Sequence, residues 1–229
     1  MSGAGHGLRD IADAGAFLSR LTRLDPAALV RLRPAGDGAR TALWARLPWQ
    51  VLVTRTVGGP GPGEATVSAA ELLARLAGDR GDLPARRDGD WRWPLPPDAG
   101  RAVERIAAEE LVRVGQAAAG ALRTAVATRR VGERAARDAL LDHVVIVVTG
   151  PAGVTGVPQP ASDRVEVPQR LVQAVLRMGF LGPSSATLDN PIQIRIAGRW
   201  TGIAAPYGTA WLRAVNDFAL RPVSNQPNG

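Results

Sequence analysis

An α+β fold, in which helices are joined by short antiparallel β-hairpins, is the architecture this sequence predicts. It is expected as one mixed domain or as two small subdomains. Three observations point to it. Apolar residues recur at helical spacing in several windows, beginning with Leu8, Ile11, Ala14, Phe17, Leu18 and Leu21. Elsewhere the period drops to two, as in Leu43, Ala45 and Leu47 or Ile192, Ile194 and Ile196. The second of these alternating runs meets a turn at Gly198-Arg199 and returns through Trp200, which is the pattern of a hairpin.

The elements follow in order. Residues 1–7 are small and polar and are expected to be a flexible tail. The first apolar stripe predicts a helix through Leu21. Asp25-Pro26 then has the form of an N-cap followed by a first-turn proline, which predicts a second short helix over 27–32, ended by Pro34 and Gly36 to Gly38. Residues 41–57 read as two strands bent at Leu47-Pro48, and GGPGPGE at 58–64 reads as loop. Ser68 and Glu71 form a capping box ahead of Leu72, Leu73 and Leu76 on one helical face. The charged, glycine-rich stretch 78–89 is loop. Trp91 and Trp93 share one side of an extended segment, and Pro94-Leu95-Pro96-Pro97 is a stiff connector.

Asp98 is positioned to cap a long helix running to Thr128, with Ala102, Val103, Ile106, Leu111 and Val114 on its apolar side. Small residues at Gly115, Ala119 and Gly120 suit close helix packing. A further helix spans 132–143, with Ala135, Ala136, Ala139 and Leu140 inward. Val144 to Val148 is a β-branched strand expected to pair with 164–167 across the loop 149–163. A helix follows over 168–180, then the hairpin 192–204. Residues 206–220 are expected as loop with a last helix, and 221–229 as tail. The organisation expected is therefore an N-terminal unit over 8–93 and a C-terminal unit over 98–220, and the sequence shows no internal repeat.

Composition excludes much chemistry. The chain of 229 residues has no cysteine and two histidines, and all 28 of its basic residues are arginine, against 21 acids. Thiol nucleophiles, disulfides, zinc fingers, iron–sulfur clusters, Schiff-base chemistry and a Walker lysine are thereby ruled out. The arginine excess, with abundant Ala, Gly, Pro and Val, is the usage of a high-GC bacterium. The net charge of +7 is spread thinly: +4 over 1–57, −2 over 58–100, +2 over 101–143 and +3 over 144–229. The residues MSGAGHGLRD hold no apolar run, so no signal peptide is expected, and the longest aliphatic run, Val144 to Val148, is far too short to cross a bilayer. A cytoplasmic location without membrane contact is expected.

Several motifs invite a catalytic interpretation and do not sustain it. Gly150, Gly153 and Gly156 follow a strand, yet their spacing is not that of a dinucleotide fingerprint, and Val157-Pro158-Gln159-Pro160 does not open a helix to bind phosphate. His143 lacks a nucleophile elbow to serve and reads as a helix C-terminal residue. Glu104, Glu109, Glu110, Glu133 and Asp138 lie among arginines at helical spacing, the pattern of a solvated, ion-paired face. No catalytic, metal or cofactor-binding residue is assigned, and no cofactor is implied.

Two surfaces remain. Tryptophan joins a large apolar area to one donor and is enriched in binding hot spots. Trp91 and Trp93, flanked by prolines, are the candidate partner-binding pair. Helix 168–180 followed by hairpin 192–204 has the order of a winged helix, with Arg170, Gln173 and Arg177 at helical spacing and Arg199 at the wing tip as candidate nucleic-acid contacts. The sequence thus favours a non-catalytic binding or adaptor protein with a protein partner. A nucleic-acid-binding regulator is the alternative, and an enzyme working without Cys or Lys chemistry is a second one.

Overall fold

A computed structural model describes residues 5–97, 100–128, 133–149, 164–183 and 191–214. Helix α1 (Ile11–Leu24) buries Ala14, Phe17, Leu18 and Leu21 of the predicted stripe, while Ile11, at the first turn, is exposed. It leads into β1 (Leu29–Ala35), β2 (Arg40–Arg46), β3 (Leu52–Gly58) and β4 (Ala65–Ser68). Helix α2 (Ala69–Ala77) follows, its N-terminus held where Glu71 N donates to Ser68 Oγ at 3.3 Å. An extended segment then leads to β5 (Arg101–Ile106), α3 (Ala108–Thr128) and α4 (Glu133–Asp142). The chain ends with β6 (Val144–Thr149), β7 (Arg164–Pro168), α5 (Gln169–Arg177), β8 (Ile192–Ala197), β9 (Trp200–Ala205) and β10 (Gly208–Arg213). The fold is α+β, with every described strand pair antiparallel.

Eight strands make one sheet in the order β4-β1-β2-β3-β10-β9-β8-β5, and β6 and β7 form a separate hairpin. The order is palindromic. In the first half α1 precedes β1, β2 and β3; in the second, α5 precedes β8, β9 and β10. Each half adds an outer strand that leads into a helix, β4 into α2 and β5 into α3. The backbone therefore repeats an arrangement that the residues do not. The halves join through β3 and β10, where Leu52 opposes Trp211 and Thr54 opposes Thr209.

Side-chain alternation gives the sheet two apolar faces. The inner face, under the helices, gathers Phe17, Leu18 and Leu72 with Val30, Leu43, Val53, Leu171, Val175, Ile194 and Ile203. The outer face carries Trp44, Leu52, Trp200 and Trp211, covered by the segment that holds Trp91, Trp93 and Leu95. Trp211 fits only because its cross-strand partner is Gly202, where a Cβ would lie 2.5 Å from the indole Cε3. Gly115 plays a similar part between α3 and α5: a Cβ there would lie 2.2 Å from Leu176 Cδ1, which agrees with the close packing its size predicts. The sheet edge at β4 is covered, since Thr66 N donates to Asp88 Oδ1 at 2.7 Å and Thr66 O accepts from Arg87 N at 2.7 Å. At the other edge, β5 exposes Arg101, Glu104 and Arg105, charges that discourage edge pairing.

Four expectations are corrected. Residues 29–35 are strand β1 rather than helix: the Asp25 carboxylate accepts from Ala27 N at 2.9 Å, closing a turn, and β2 and β4 flank the segment that follows. Residues 101–106 are strand β5, fixed by pairing with β8, so the helix begins only at Ala108. Residues 208–213 are strand β10, which joins the two halves of the sheet by pairing with β3. Residues 5–7 are docked, with His6 buried, its Nδ1 accepting from Leu8 N at 3.1 Å and its backbone N–H donating to Gly81 O at 2.9 Å. The expected cap Asp98, the loop glycines 150, 153 and 156, and the tail 221–229 lie outside the described residues. Among those residues no helix is long and apolar enough to cross a membrane.

Candidate functional site

Antiparallel order brings the end of β2, the start of β3, the end of β10 and the start of β9 to one end of the sheet. In register, Arg46 opposes Leu52, Leu52 opposes Trp211, and Arg213 opposes Trp200. Residues directly opposite share a face, so Arg46, Leu52, Trp200 and Arg213 all project on the outer side. A cleft of about 960 Å³ opens there and wraps around the strand ends toward the N-terminus of α5 and the β6–β7 hairpin.

One wall is aromatic and basic. The Trp91 indole Nε1 donates to Trp93 O at 2.8 Å, and the two rings meet edge to face at 5.5 Å, which fixes the extended segment. Trp91 is thereby buried, with the Arg31 guanidinium 5.9 Å from its ring centre. Trp93 is half-buried and faces the cleft, and the Arg46 guanidinium stacks 4.8 Å above its ring. Arg199, exposed in the β8–β9 turn, donates to Ala214 O at 3.4 Å, and Arg213 is exposed beside it. Among the described residues, Arg46, Arg199 and Arg213 form no ion pair.

The opposite wall is internally neutralised. Trp49 Nε1 donates to Arg170 O at 3.2 Å, while Arg170 Nη1 donates to Trp49 O at 3.3 Å. This reciprocal pair fastens the β2–β3 turn to α5. Arg170 also forms an ion pair with Asp142, and Glu166 pairs with Arg164 at 3.2 Å. Burial pulls the Arg170 guanidinium below its ordinary value, with the Asp138 charge opposing; an arginine stays charged under such a shift.

The structure therefore brings together Trp93, Arg170 and Arg199, drawn from both sequence-predicted surfaces. Trp91 stands behind them in the packing. Gln173 is half-buried on α5 and Arg177 is exposed at its last residue; neither lines the cleft. The sequence gives no warning of Arg46, Gln50 and Arg213, because ordinary surface residues acquire their place only through strand register. The wing of the expected winged helix is corrected: β8 and β9 are hydrogen-bonded on both sides, to β5 and β10, so only the turn at Gly198-Arg199 projects. The expected ion-paired face on 101–113 is not formed either, since Glu104, Glu109 and Glu110 are exposed and pair with no arginine among the described residues.

A second cavity, of about 530 Å³, lies on the helix side between α1 and the end of α5. Phe17 and Phe180 stack there at 6.4 Å, and Arg55 spans Asp13, Tyr207 O and the Tyr207 ring. The one carboxylate among its described lining residues, Asp13, is thus already engaged. Among the described residues no three metal-ligating side chains cluster.

The arrangement is similar to that of bacterial DNA polymerase sliding clamps. The Pseudomonas aeruginosa clamp crystallised with a ligand aligns with a TM-score of 0.54 at 15% identity, over 93% of this chain and 65% of the clamp. The Caulobacter crescentus pol III beta structure gives 0.53 at 15% identity, over 91% and 65%. The beta subunit from Streptococcus pyogenes gives 0.50 at 10% identity, over 90% and 64%. This chain thus spans a little under two thirds of those proteins, and at such identities the likeness is one of fold. No curated protein sequence matches the chain. Two family models do: one described as Domain of unknown function (DUF8010) over residues 6–93 and one as Domain of unknown function (DUF8185) over residues 95–217. Each matched segment supplies four neighbouring strands of the sheet. With the second model covering more than half its length, the chain belongs to the DUF8185 family.

Proposed function

We propose that this protein is a non-catalytic interaction scaffold that holds a protein partner in the cleft beside Trp93. The observation that carries the proposal is the composition of that cleft. A half-exposed indole under a stacked guanidinium, next to a buried indole and uncompensated arginines, is the residue mix of a binding hot spot rather than of a reaction centre. The similarity to sliding clamps supports a scaffold in fold only. Residues from both family-matched segments build the cleft, so a partner seated there would contact both.

The test is site-specific photo-cross-linking in cells with the probe placed at Gln50 or Arg199, compared with a probe at Arg177 outside the cleft. One discrete adduct from the first two positions, lost on Trp93→Ala with an unchanged thermal melt, is the expected result. Equal adducts from Arg177, or adducts indifferent to Trp93, would overturn the proposal.

A nucleic-acid-binding role is the second reading, supported by the +7 charge and by exposed Arg177 and Arg199. It is weakened by α5, which buries Gln169, Leu171, Val172, Ala174 and Val175 against the sheet and engages Arg170 internally. Duplex DNA binding whose log K falls steeply with log salt, and weakens on Arg177→Gln, would favour this second role.

A further inference from the structure

The geometry points to an acidic, extended peptide segment with one apolar side chain as the occupant of the cleft. This inference rests on the cleft being the interaction site and adds the chemistry of what enters it. Charge complementarity carries the argument. On the sheet wall, Arg46, Arg199 and Arg213 line the cleft and form no ion pair with a carboxylate among the described residues. On the other wall, Asp142 and Glu166 are committed to Arg170 and Arg164. The surplus is positive and confined to one side.

The floor between those walls is apolar. Leu52 and Trp200 lie on the outer face, Trp93 flanks them, and Leu212 closes the end. An apolar side chain inserted among the indoles would leave flanking carboxylates level with the arginines. The fork of a guanidinium matches a carboxylate in two hydrogen bonds, so Arg rather than Lys is the fitting donor here.

Shape and charge pattern favour a peptide over duplex nucleic acid. A duplex presents a continuous row of phosphates to whatever it touches, and the Asp142 and Glu166 carboxylates would face that row across the cleft. A peptide places its carboxylates on the arginine side only. The cleft volume, about 960 Å³, suits a few residues of extended chain and an anchor side chain.

The test uses the full chain and fluorescence anisotropy with two labelled peptides, one of glutamates around a central leucine and one of lysines around a central leucine. The glutamate peptide is expected to bind, more weakly as salt is raised, and the lysine peptide is not. Arg46→Gln, Arg199→Gln and Arg213→Gln should each weaken the glutamate peptide by about two- to five-fold, as for exposed charge pairs. Arg199 and Arg213 are exposed, so their variants keep the fold even if loss of the Arg46 stack disturbs Trp93. Equal binding of the two peptides, or glutamate-peptide binding indifferent to Arg199→Gln and Arg213→Gln, overturns the inference. Duplex DNA outcompeting the glutamate peptide through the same arginines overturns it too. A chain that cross-links its partner from Gln50 and Arg199 yet ignores the glutamate peptide refutes the acidic chemistry alone and leaves the scaffold standing.

Discussion

The outer core depends on one absent side chain, and Gly202→Ala measures that dependence. Gly202 sits directly opposite Trp211, and a Cβ added there would lie 2.5, 2.7 and 2.8 Å from three carbons of the indole. The ring cannot retreat freely. At its outer edge a Cβ at Gly100 would already lie 2.9 Å from its Cη2, and Trp211 is only 7% exposed. Forcing extra volume into such a site costs about 1–3 kcal/mol. Against this, alanine in place of glycine restricts the unfolded chain, worth about 0.5–1 kcal/mol in the opposite direction. The net expectation is destabilisation of about 0.5–2 kcal/mol, a fall in Tm of about 1–8 °C for a chain of this size. Urea unfolding and thermal melts followed by far-ultraviolet circular dichroism read both.

Two companion variants isolate the cause. Gly15→Ala, in α1 with nothing within 4 Å of the new Cβ, should instead stabilise by about 0.5–1 kcal/mol. In a Trp211→Leu background the steric cost should vanish and Gly202→Ala should instead stabilise by about 0.5–1 kcal/mol, a coupling energy of about 1–3 kcal/mol. A Gly202→Ala protein as stable as the parent, or costs that simply add in the double variant, would refute the argument that the indole occupies the space of the missing Cβ.

Three further outcomes follow from polar groups. Gln169 is buried with neither its amide nitrogen nor its amide oxygen partnered among the described residues, so Gln169→Met should raise stability by about 1 kcal/mol in urea unfolding. Glu64 accepts hydrogen bonds from Arg31 and Arg33, which hold its carboxyl below the ordinary value of 4.5. Because the folded-state value is the lowered one, the stabilisation is present above pH 4.5 and is lost as pH falls through the folded-state value. Glu64→Gln should therefore flatten the acid limb of the stability curve below that pH, by a fraction of about 1 kcal/mol because the pair is exposed. Ser68→Ala removes the α2 cap and should cost about 1 kcal/mol in the same assay.

Local signals made part of this fold legible. The stripe of α1, the Ser68 cap of α2, the bent pair β2 and β3, the β-branched β6 and the alternating β8 are each written within a few residues of sequence. The misread elements are those whose state is set at a distance. Residues 29–35 carry a helix-start dipeptide upstream, but β2 and β4 bind them on both sides. Val103 and Ile106 fit one helical face, yet pairing with β8 decides. Strand β10 hides its alternation because Trp211 serves the outer core while the adjacent Leu212 packs against the inner one. The cleft follows the same division. Trp93, Arg170 and Arg199 stand out as residue types, but their meeting depends on the β3–β10 pairing, for which no nearby residue gives a signal.

The segregation of tryptophans has a practical consequence in light emission. Five of the six indoles, Trp44, Trp91, Trp93, Trp200 and Trp211, lie on the outer face, and only Trp49 packs against the inner core. Excited at its red edge, the protein will report almost wholly on that outer layer, and the helices will be nearly dark. Trp93 is the indole with a guanidinium stacked above it and access to the cleft, so an occupant that displaces Arg46 will shift the emission while the helix signal in circular dichroism stays constant. Loosening of the helical layer would give the converse, a falling dichroic signal with the emission changed only through Trp49, which is bonded to α5. The molecule thus carries, without labelling, separate optical channels for its two faces.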